Sequence, residues 1–426
     1  MNHETNEKRT IGSSLYEYAF VPVPQKQRKK SRELFFILTG YTSALSCLVI
    51  GSKVGAALPF WQAIAACFLG DIVLIMIGTG MGIISSKTGW STAFLAQKII
   101  GKEVSVIFSI LIIVCSVFWI GINGNLFTNM LISVFPSWPV PVAITSMMII
   151  VIWAFTATYG WNGLEIASRI VVPCSLILLS YAMIQLFYKM GGTAFLFTQP
   201  TDVQMSFSAA STAIIGNYIF GCTITPDTCR FAKSSGKVAI VCPSAYMVGL
   251  FLFNVCGVIV AKAGQFSDFI RSTAVVGIIV PMLLCAIFCL VTTQNINAYG
   301  GSLALQNIFQ GTPLEGNVSH KVTVFLIAGL AVALSVSGIG KYLIPVVSSF
   351  AIFMVPFTGM LFAEFFFFKN TEKQNKNKWY SLMIWIAGSL LGITLLKAGW
   401  PIVPLWEILF SGISYIVINK KLNKIS

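Results

Sequence analysis

Lys53 and Asp71 are ionisable residues inside otherwise apolar runs. A charge at the centre of a bilayer costs about 2.5–3.5 kcal/mol on insertion scales, so each must face the interior of a helix bundle or water. Asp71 is a candidate proton site, or else a hydrogen-bonded structural acid. Lys53 lies close enough to the outer boundary for its ammonium to reach the interface. At 1.5 Å per residue their depths differ by roughly 9 Å, so a direct ion pair between them would be strained. Asp227 and Arg230 fall where an apolar run ends and read either as an inner gate or as a plain helix-end pair. Trp119 and Asn123, four residues apart, share one helix face. Thr292, Thr293, Asn295 and Asn297 place hydroxyls and amides in another apolar run, where helix–helix hydrogen bonding is the plain alternative for the two asparagines.

Catalysis finds no support in the remaining residues. The two histidines, His3 and His320, lie outside the apolar runs, so neither an HExxH motif nor a Ser/His pair exists within a membrane. Ten cysteines contain no CxxC pair, which leaves zinc, haem and disulfide frameworks unsupported. No GxxxxGK[ST] loop is present, so ATP is not the energy source within this chain. An enzyme is not expected.

The elements that must position these residues follow from composition. The chain has 426 residues, 56% hydrophobic and 10% charged, with a mean hydropathy of +0.83. Soluble domains carry about 25% charged residues. Lipid, rather than water, is therefore the solvent for most of this surface. Apolar runs at 34–57, 61–85, 104–132, 139–157, 165–188, 208–225, 238–261, 272–298, 322–338, 342–364, 380–397 and 402–419 predict about twelve transmembrane helices. The polar residues 1–32 predict a disordered cytoplasmic tail without a cleavable signal peptide. With the N-terminus inside, 22 of the 28 lysines and arginines fall in cytoplasmic segments, as the positive-inside rule requires. Both termini are then cytoplasmic in a multi-pass inner-membrane protein. The net charge of +14 reflects that orientation and not a nucleic-acid partner. No obligate protein partner is evident.

Two runs carry glycines and small hydroxylated residues in their middles. The first has Thr39-Gly40-Tyr41-Thr42-Ser43; the sixth has Gly216-Asn217-Tyr218 followed by Phe220-Gly221-Cys222-Thr223. Such residues let a helix unwind and free its carbonyls and amides at membrane depth. Close helix packing is the other use for them. Breaks in the first and sixth spans are the mark of a five-plus-five inverted repeat. The repeats would cover about 33–190 and 207–364, a ten-helix core followed by two peripheral helices in 365–426.

Pro22-Val-Pro-Gln25 before a basic cluster, Thr225-Pro-Asp227-Thr-Cys-Arg230-Phe231, Thr292-Thr293-Gln-Asn and Ala363-Glu364 occur in that order. In this combination the chain resembles the cytosine permeases of the nucleobase:cation symporter-1 family from about residue 22 to the C-terminus. The resemblance implies an all-α polytopic transporter sharing the fold of bacterial sodium-coupled amino-acid transporters. It also implies sodium as coupling ion, held by the carbonyls of Gly40, Ser43 and Cys289 and the hydroxyls of Thr292 and Thr293. Hard cations take oxygen ligands and a broken helix offers unpaired carbonyls; the two threonines bonding back to their own helix is the alternative. Cysteine stands at 289 where cytosine permeases carry asparagine, a change that a backbone ligand survives.

The substrate implied is a planar nucleobase-like heterocycle between Trp119 and Tyr218. Around it the chain departs from the cytosine pattern. Ser116 replaces a glutamine, Asn217 and Phe220 replace two serines, and Asn123 resembles the amide of hydantoin permeases. These changes keep a flat heterocycle but put cytosine itself in question. The expected function is cation-coupled import by alternating access. Rival readings are a proton-coupled permease for a hydantoin or thiamine-precursor pyrimidine, a passive channel, and a membrane-embedded enzyme.

Overall fold

A backbone within lipid must satisfy its own polar groups, which a helix does segment by segment. A computed structural model describes residues 17–19, 21–198, 204–315, 317–337, 343–368 and 379–425, and they contain helices and no β-strand. Twelve helical runs follow one another: the broken pair Ser31–Thr42 and Leu45–Ala57 (span 1), Phe60–Thr88 (span 2), Lys102–Val134 (span 3), Val142–Ala157 (span 4), Gly160–Lys189 (span 5), Phe207–Thr223 with Thr225–Cys229 (span 6), Ser235–Gly264 (span 7), Ile279–Phe309 (span 8), His320–Val336 (span 9), Leu343–Phe367 (span 10), Trp379–Lys397 (span 11) and Val403–Ile425 (span 12). Span 5 shows why lipid must surround them, since Ile166, Ile170, Ile177 and Ile184 are all more than 60% exposed along one face.

Short helices at Thr92–Ile100, after span 2, and Phe269–Val276, after span 7, occupy corresponding places in the two halves. Each repeat thus has five spans, an odd number. The second copy must then enter the membrane from the opposite side, which makes the repeat inverted. Spans 11 and 12 pack on span 10, with Gly359 against Ser411 and Gly388 against Pro356.

Span 1 breaks at the end of the glycine-hydroxyl stretch. Ser43 (ψ 70°) and Ala44 (φ −98°, ψ 139°) leave the helix, and the two halves meet at 51°. Thr42 Oγ1 and Ser43 Oγ donate to Leu38 O and Thr39 O at 2.7 and 2.8 Å, competing with the helical amides. Span 6 differs from expectation, because the helix runs unbroken through Gly216–Thr223 and turns only at Ile224. The deciding residue is Pro226, which has no N–H to continue the ladder and sits in the first turn of the next short helix, where that loss is tolerated. Gly221 serves packing instead, since a Cβ there would clash with the Tyr218 ring. A further irregularity, a π turn at Met247–Phe251 in span 7, lies against the break of span 1. Gly249 within it touches Thr42 so closely that no side chain fits.

The second half of span 1 packs backbone to backbone on span 7. A Cβ on Gly55 would come within 2.7 Å of Val258 Cα, and Gly51 rests on the Asn254 carbonyl. Part of the supposedly disordered tail is also packed. Val23 N donates to Gly89 O at 2.9 Å and Lys29 N to Phe231 O at 2.7 Å. Residues 1–16 of the tail, Lys341 and the basic loop 369–378 lie outside the described residues.

Candidate functional site

Where the break of span 1 and the continuous helix of span 6 face spans 3 and 8 there is a hollow of about 30 Å³. Trp119 and Asn123 line it from span 3, Asn217, Tyr218 and Phe220 from span 6, Thr293 and Asn297 from span 8, and Tyr41 and Ser46 from span 1. Helical spacing brings Asn123 under Trp119, and its Nδ2 donates to Trp119 O at 2.8 Å. That bond identifies the remaining atom as the oxygen, and Asn123 Oδ1 is buried without a hydrogen-bond partner. Asn217 Nδ2 reaches Cys47 Sγ at 3.5 Å, and its Oδ1 is likewise buried and unpartnered. Two acceptors with no donor thus flank an aromatic wall.

Tyr218 fills much of the remaining room. Its ring lies nearly parallel to Tyr41 (21°, centroids 6.1 Å apart) and its hydroxyl donates to Tyr41 O, a carbonyl released by the break. Tyr41 in turn shares hydrogen bonds with Tyr246 (2.7 Å) and Thr225 (3.0 Å). Composition alone did not single out Tyr41; its place inside the broken stretch was the available signal.

Beside the hollow, span 8 grips span 1. Thr292 Oγ1 donates to Gly40 O at 2.7 Å, and Thr293 Oγ1 donates to Cys289 O at 3.0 Å. Gly40 is small for a reason, since a Cβ there would lie 3.1 Å from both Ser168 Oγ and Thr292 Cγ2. Ser43 stands at the break with its amide on Thr39 O at 2.9 Å, and among the described residues no donor reaches its own carbonyl. Gly40, Cys289, Thr292 and Thr293 are therefore drawn together, with Ser43 at the adjoining chain end.

Other sequence candidates go elsewhere. Ser116 is outside the hollow, turned toward Gly301 of span 8 at 3.0 Å from where a Cβ would stand. Asn295 takes the plain role, accepting from Thr156 Oγ1 at 2.7 Å between spans 8 and 4. Lys53 and Asp71 do not pair. Asp71 is held by Asn254 of span 7, whose Nδ2 lies 3.1 and 3.0 Å from the two carboxylate oxygens. Sequence reasoning missed Asn254, because nothing local links positions 71 and 254.

Asp227 and Arg230 do not form an ion pair among the described residues. Asp227 Oδ1 instead accepts from Thr92 N at 2.7 Å, in the first turn of the short helix Thr92–Ile100. Arg230 clamps the tail, donating to Glu17 O at 2.7 Å, Tyr18 O at 3.1 Å and Tyr299 Oη at 2.7 Å. Tyr299 donates to the Glu17 carboxylate at 3.2 Å. Burial pushes the Glu17 carboxyl above its ordinary range, against the opposing pull of Arg230. Tail residues thus form a strap over spans 5, 6 and 8.

Over residues 22–417 the chain matches the family described as permease for cytosine/purines, uracil, thiamine, allantoin. The chain belongs to this permease family. It is a membrane transporter and not an enzyme. The cytosine permeases of Escherichia coli K12 and of Escherichia coli O157:H7 are each 23% identical to it over 408 residues, covering 95% of this chain and 94% of theirs. Among solved structures, Mhp1, a nucleobase-cation-symport-1 family transporter, in a closed conformation with bromovinylhydantoin bound, superimposes with a TM-score of 0.82 at 14% identity over 95% of each chain. The inward-facing conformation of Mhp1 gives 0.75 at 15% identity, covering 95% of this chain and 93% of that one. A Na+-coupled sialic acid symporter in a substrate-bound outward-open state gives 0.66 at 11%, covering 92% and 89%. At these identities the superpositions speak to fold, and the permease has the inverted-repeat architecture of sodium-coupled amino-acid transporters.

Proposed function

We propose that the permease imports a flat nitrogen heterocycle of the nucleobase or hydantoin kind together with sodium, by alternating access, from the inner membrane with both termini in the cytoplasm. The observation that carries this reading is the pair of donorless amide oxygens, Asn123 Oδ1 and Asn217 Oδ1, beside Trp119. A buried acceptor without a donor costs about 1–3 kcal/mol. A ring bearing N–H groups supplies the missing donors, and a ring with acceptors alone does not. Lactams, ureides and amino-pyrimidines qualify. The Trp119 face adds stacking worth roughly 1–3 kcal/mol, which selects planarity without choosing the base. A hollow of about 30 Å³ holds one or two waters, so loading requires the Tyr218 ring to leave Tyr41.

The oxygens of Gly40, Ser43, Cys289, Thr292 and Thr293 suit sodium, a hard cation that takes neutral oxygen ligands. Bound there, the ion would supply positive charge joining span 1 to span 8. The two threonine hydroxyls would turn their lone pairs inward, giving up their bonds to Gly40 O and Cys289 O. Inward movement of one charge is worth about 2.3 kcal/mol per 100 mV, enough to drive uptake uphill.

Uptake of cytosine, uracil, a thiamine-precursor pyrimidine and a 5-substituted hydantoin into proteoliposomes, under sodium or potassium gradients, tests the proposal. Saturable, sodium-dependent uptake of at least one compound is expected. Trp119→Ala should raise its KM by about 5- to 150-fold. Equal uptake with potassium would remove sodium, and non-saturating flux that follows the solute gradient alone would make the protein a channel.

A further inference from the structure

Asp71 is a fully buried carboxyl for which neither the hollow nor the ion set has a use. It sits in span 2 and its partner Asn254 in span 7, equivalent members of the two repeats. Its bonded partner is the Asn254 amide, and the thiols of Cys47 of span 1, Cys67 of its own span and Cys222 of span 6 lie within reach of its charge. Among the described residues no lysine, arginine or histidine pairs with it, and the charge that acts on Lys53 is Asp268. A carboxylate in apolar surroundings with a single amide donor is poorly compensated.

The partner's chemistry fits both forms of the acid. As placed, Asn254 presents its N–H₂ to a carboxylate while its own Oδ1 is buried and unpartnered. Half a turn about the last side-chain torsion exchanges the two ends. Asn254 Oδ1 then accepts from a protonated Asp71 O–H. A lysine or arginine would lock the charged form; an amide accommodates either.

The site also touches the elements that bear the hollow. Cys47, which faces Asp71, receives the bond from Asn217. Gly70 beside Asp71 has span 6 against it, with Ile214 Cβ 2.7 Å from where a Cβ would stand. Gly51 of span 1 lies on the Asn254 carbonyl. Movement of span 1 or 6 therefore alters the surroundings of Asp71 directly.

We propose that Asp71 is a second coupling site, taking a proton from water on one side of the membrane and releasing it on the other, with the Asn254 amide serving both forms. This rests on the transporter reading. The balance is simple: one O–H bond forms on an Asp71 carboxylate oxygen when a proton arrives, and the same bond breaks when it leaves.

Two measurements on the full-length protein in liposomes test it. Dicyclohexylcarbodiimide attacks protonated carboxyls in apolar sites, and peptide mapping reads the outcome without any substrate. Asp71 should be modified at neutral pH and progressively less as the medium is made alkaline. The second measurement uses, as a tritiated probe at fixed sodium, whichever compound of the uptake panel above the wild type accumulates. An inside-alkaline gradient of about one pH unit should raise wild-type accumulation by up to about tenfold, while Asp71→Asn should accumulate at the zero-gradient level and ignore the gradient. Asp71→Glu, which keeps the acid, should restore the response if Asp71→Asn merely misfolds. An Asp71 that is unmodified at neutral pH, or a pH response equal in wild type and Asp71→Asn, overturns the proposal. Absence of uptake by the wild type for every compound of the panel above counts against the transport reading, and labelling still decides the protonation of Asp71.

Discussion

At the residue scale, the informative features are polar atoms left without partners. Ser116 and Asn295 looked no different from Asn123 and Asn217 as letters in apolar runs. They separate only by what their side chains meet: span 8 for Ser116, Thr156 for Asn295, and a hollow for the other two. An unpaired acceptor that exists to receive a substrate destabilises the empty protein. Asn217→Ala should therefore raise the substrate KM by roughly 10- to 100-fold, reflecting about 1.5–3 kcal/mol of lost pairing. The substrate-free melting temperature should hold or rise, because the orphan is gone. A lower melting temperature with unchanged KM would make Asn217 a structural residue.

At the element scale, close backbone contact and the strap of tail residues matter most. Gly55→Ala places a methyl 2.7 Å from Val258 Cα, where the neighbour is backbone and cannot step aside. A loss of about 1–3 kcal/mol is expected. Gly329→Ala in span 9 has nothing within 4 Å and should be neutral or stabilising by up to about 1 kcal/mol. Comparison of the two variants by thermal melting in detergent checks the difference. For the strap, the Glu17 carboxyl is raised by burial, so the docked tail binds a proton more tightly than a free one. Docking is then strongest below the ordinary carboxylate value of about 4.3 and weakens as pH climbs through the raised value. Glu17→Gln retains an acceptor for Tyr299 without the charge. Its melting temperature should move above that of the wild type as pH goes from about 5 to about 8, and identical curves at both pH values would exclude this linkage.

At the scale of the whole molecule, orientation and symmetry set where everything else can lie. A membrane-impermeant maleimide should label Tyr188→Cys, at an 87% exposed outer position, in intact cells. Ser234→Cys, between spans 6 and 7, should react only after permeabilisation, and the opposite pattern would reverse the topology. Hydropathy and the distribution of lysine and arginine determined by themselves that the chain spans a membrane many times, because the exclusion of water from lipid acts on each segment independently. The interruption of span 1 was legible too, as a glycine and hydroxyl cluster, whereas the same signal in span 6 marked continuous helix. Gly216 and Gly221 have the same composition signal whether a helix unwinds or packs closely, and Pro226 decided the matter. The coupling of Asp71 to Asn254, the clamp of Arg230 on Glu17 and Tyr18, and the four-sided hollow joined residues from distant spans. Such pairings are decided by which helix faces meet, a property of the assembled bundle that no single segment contains.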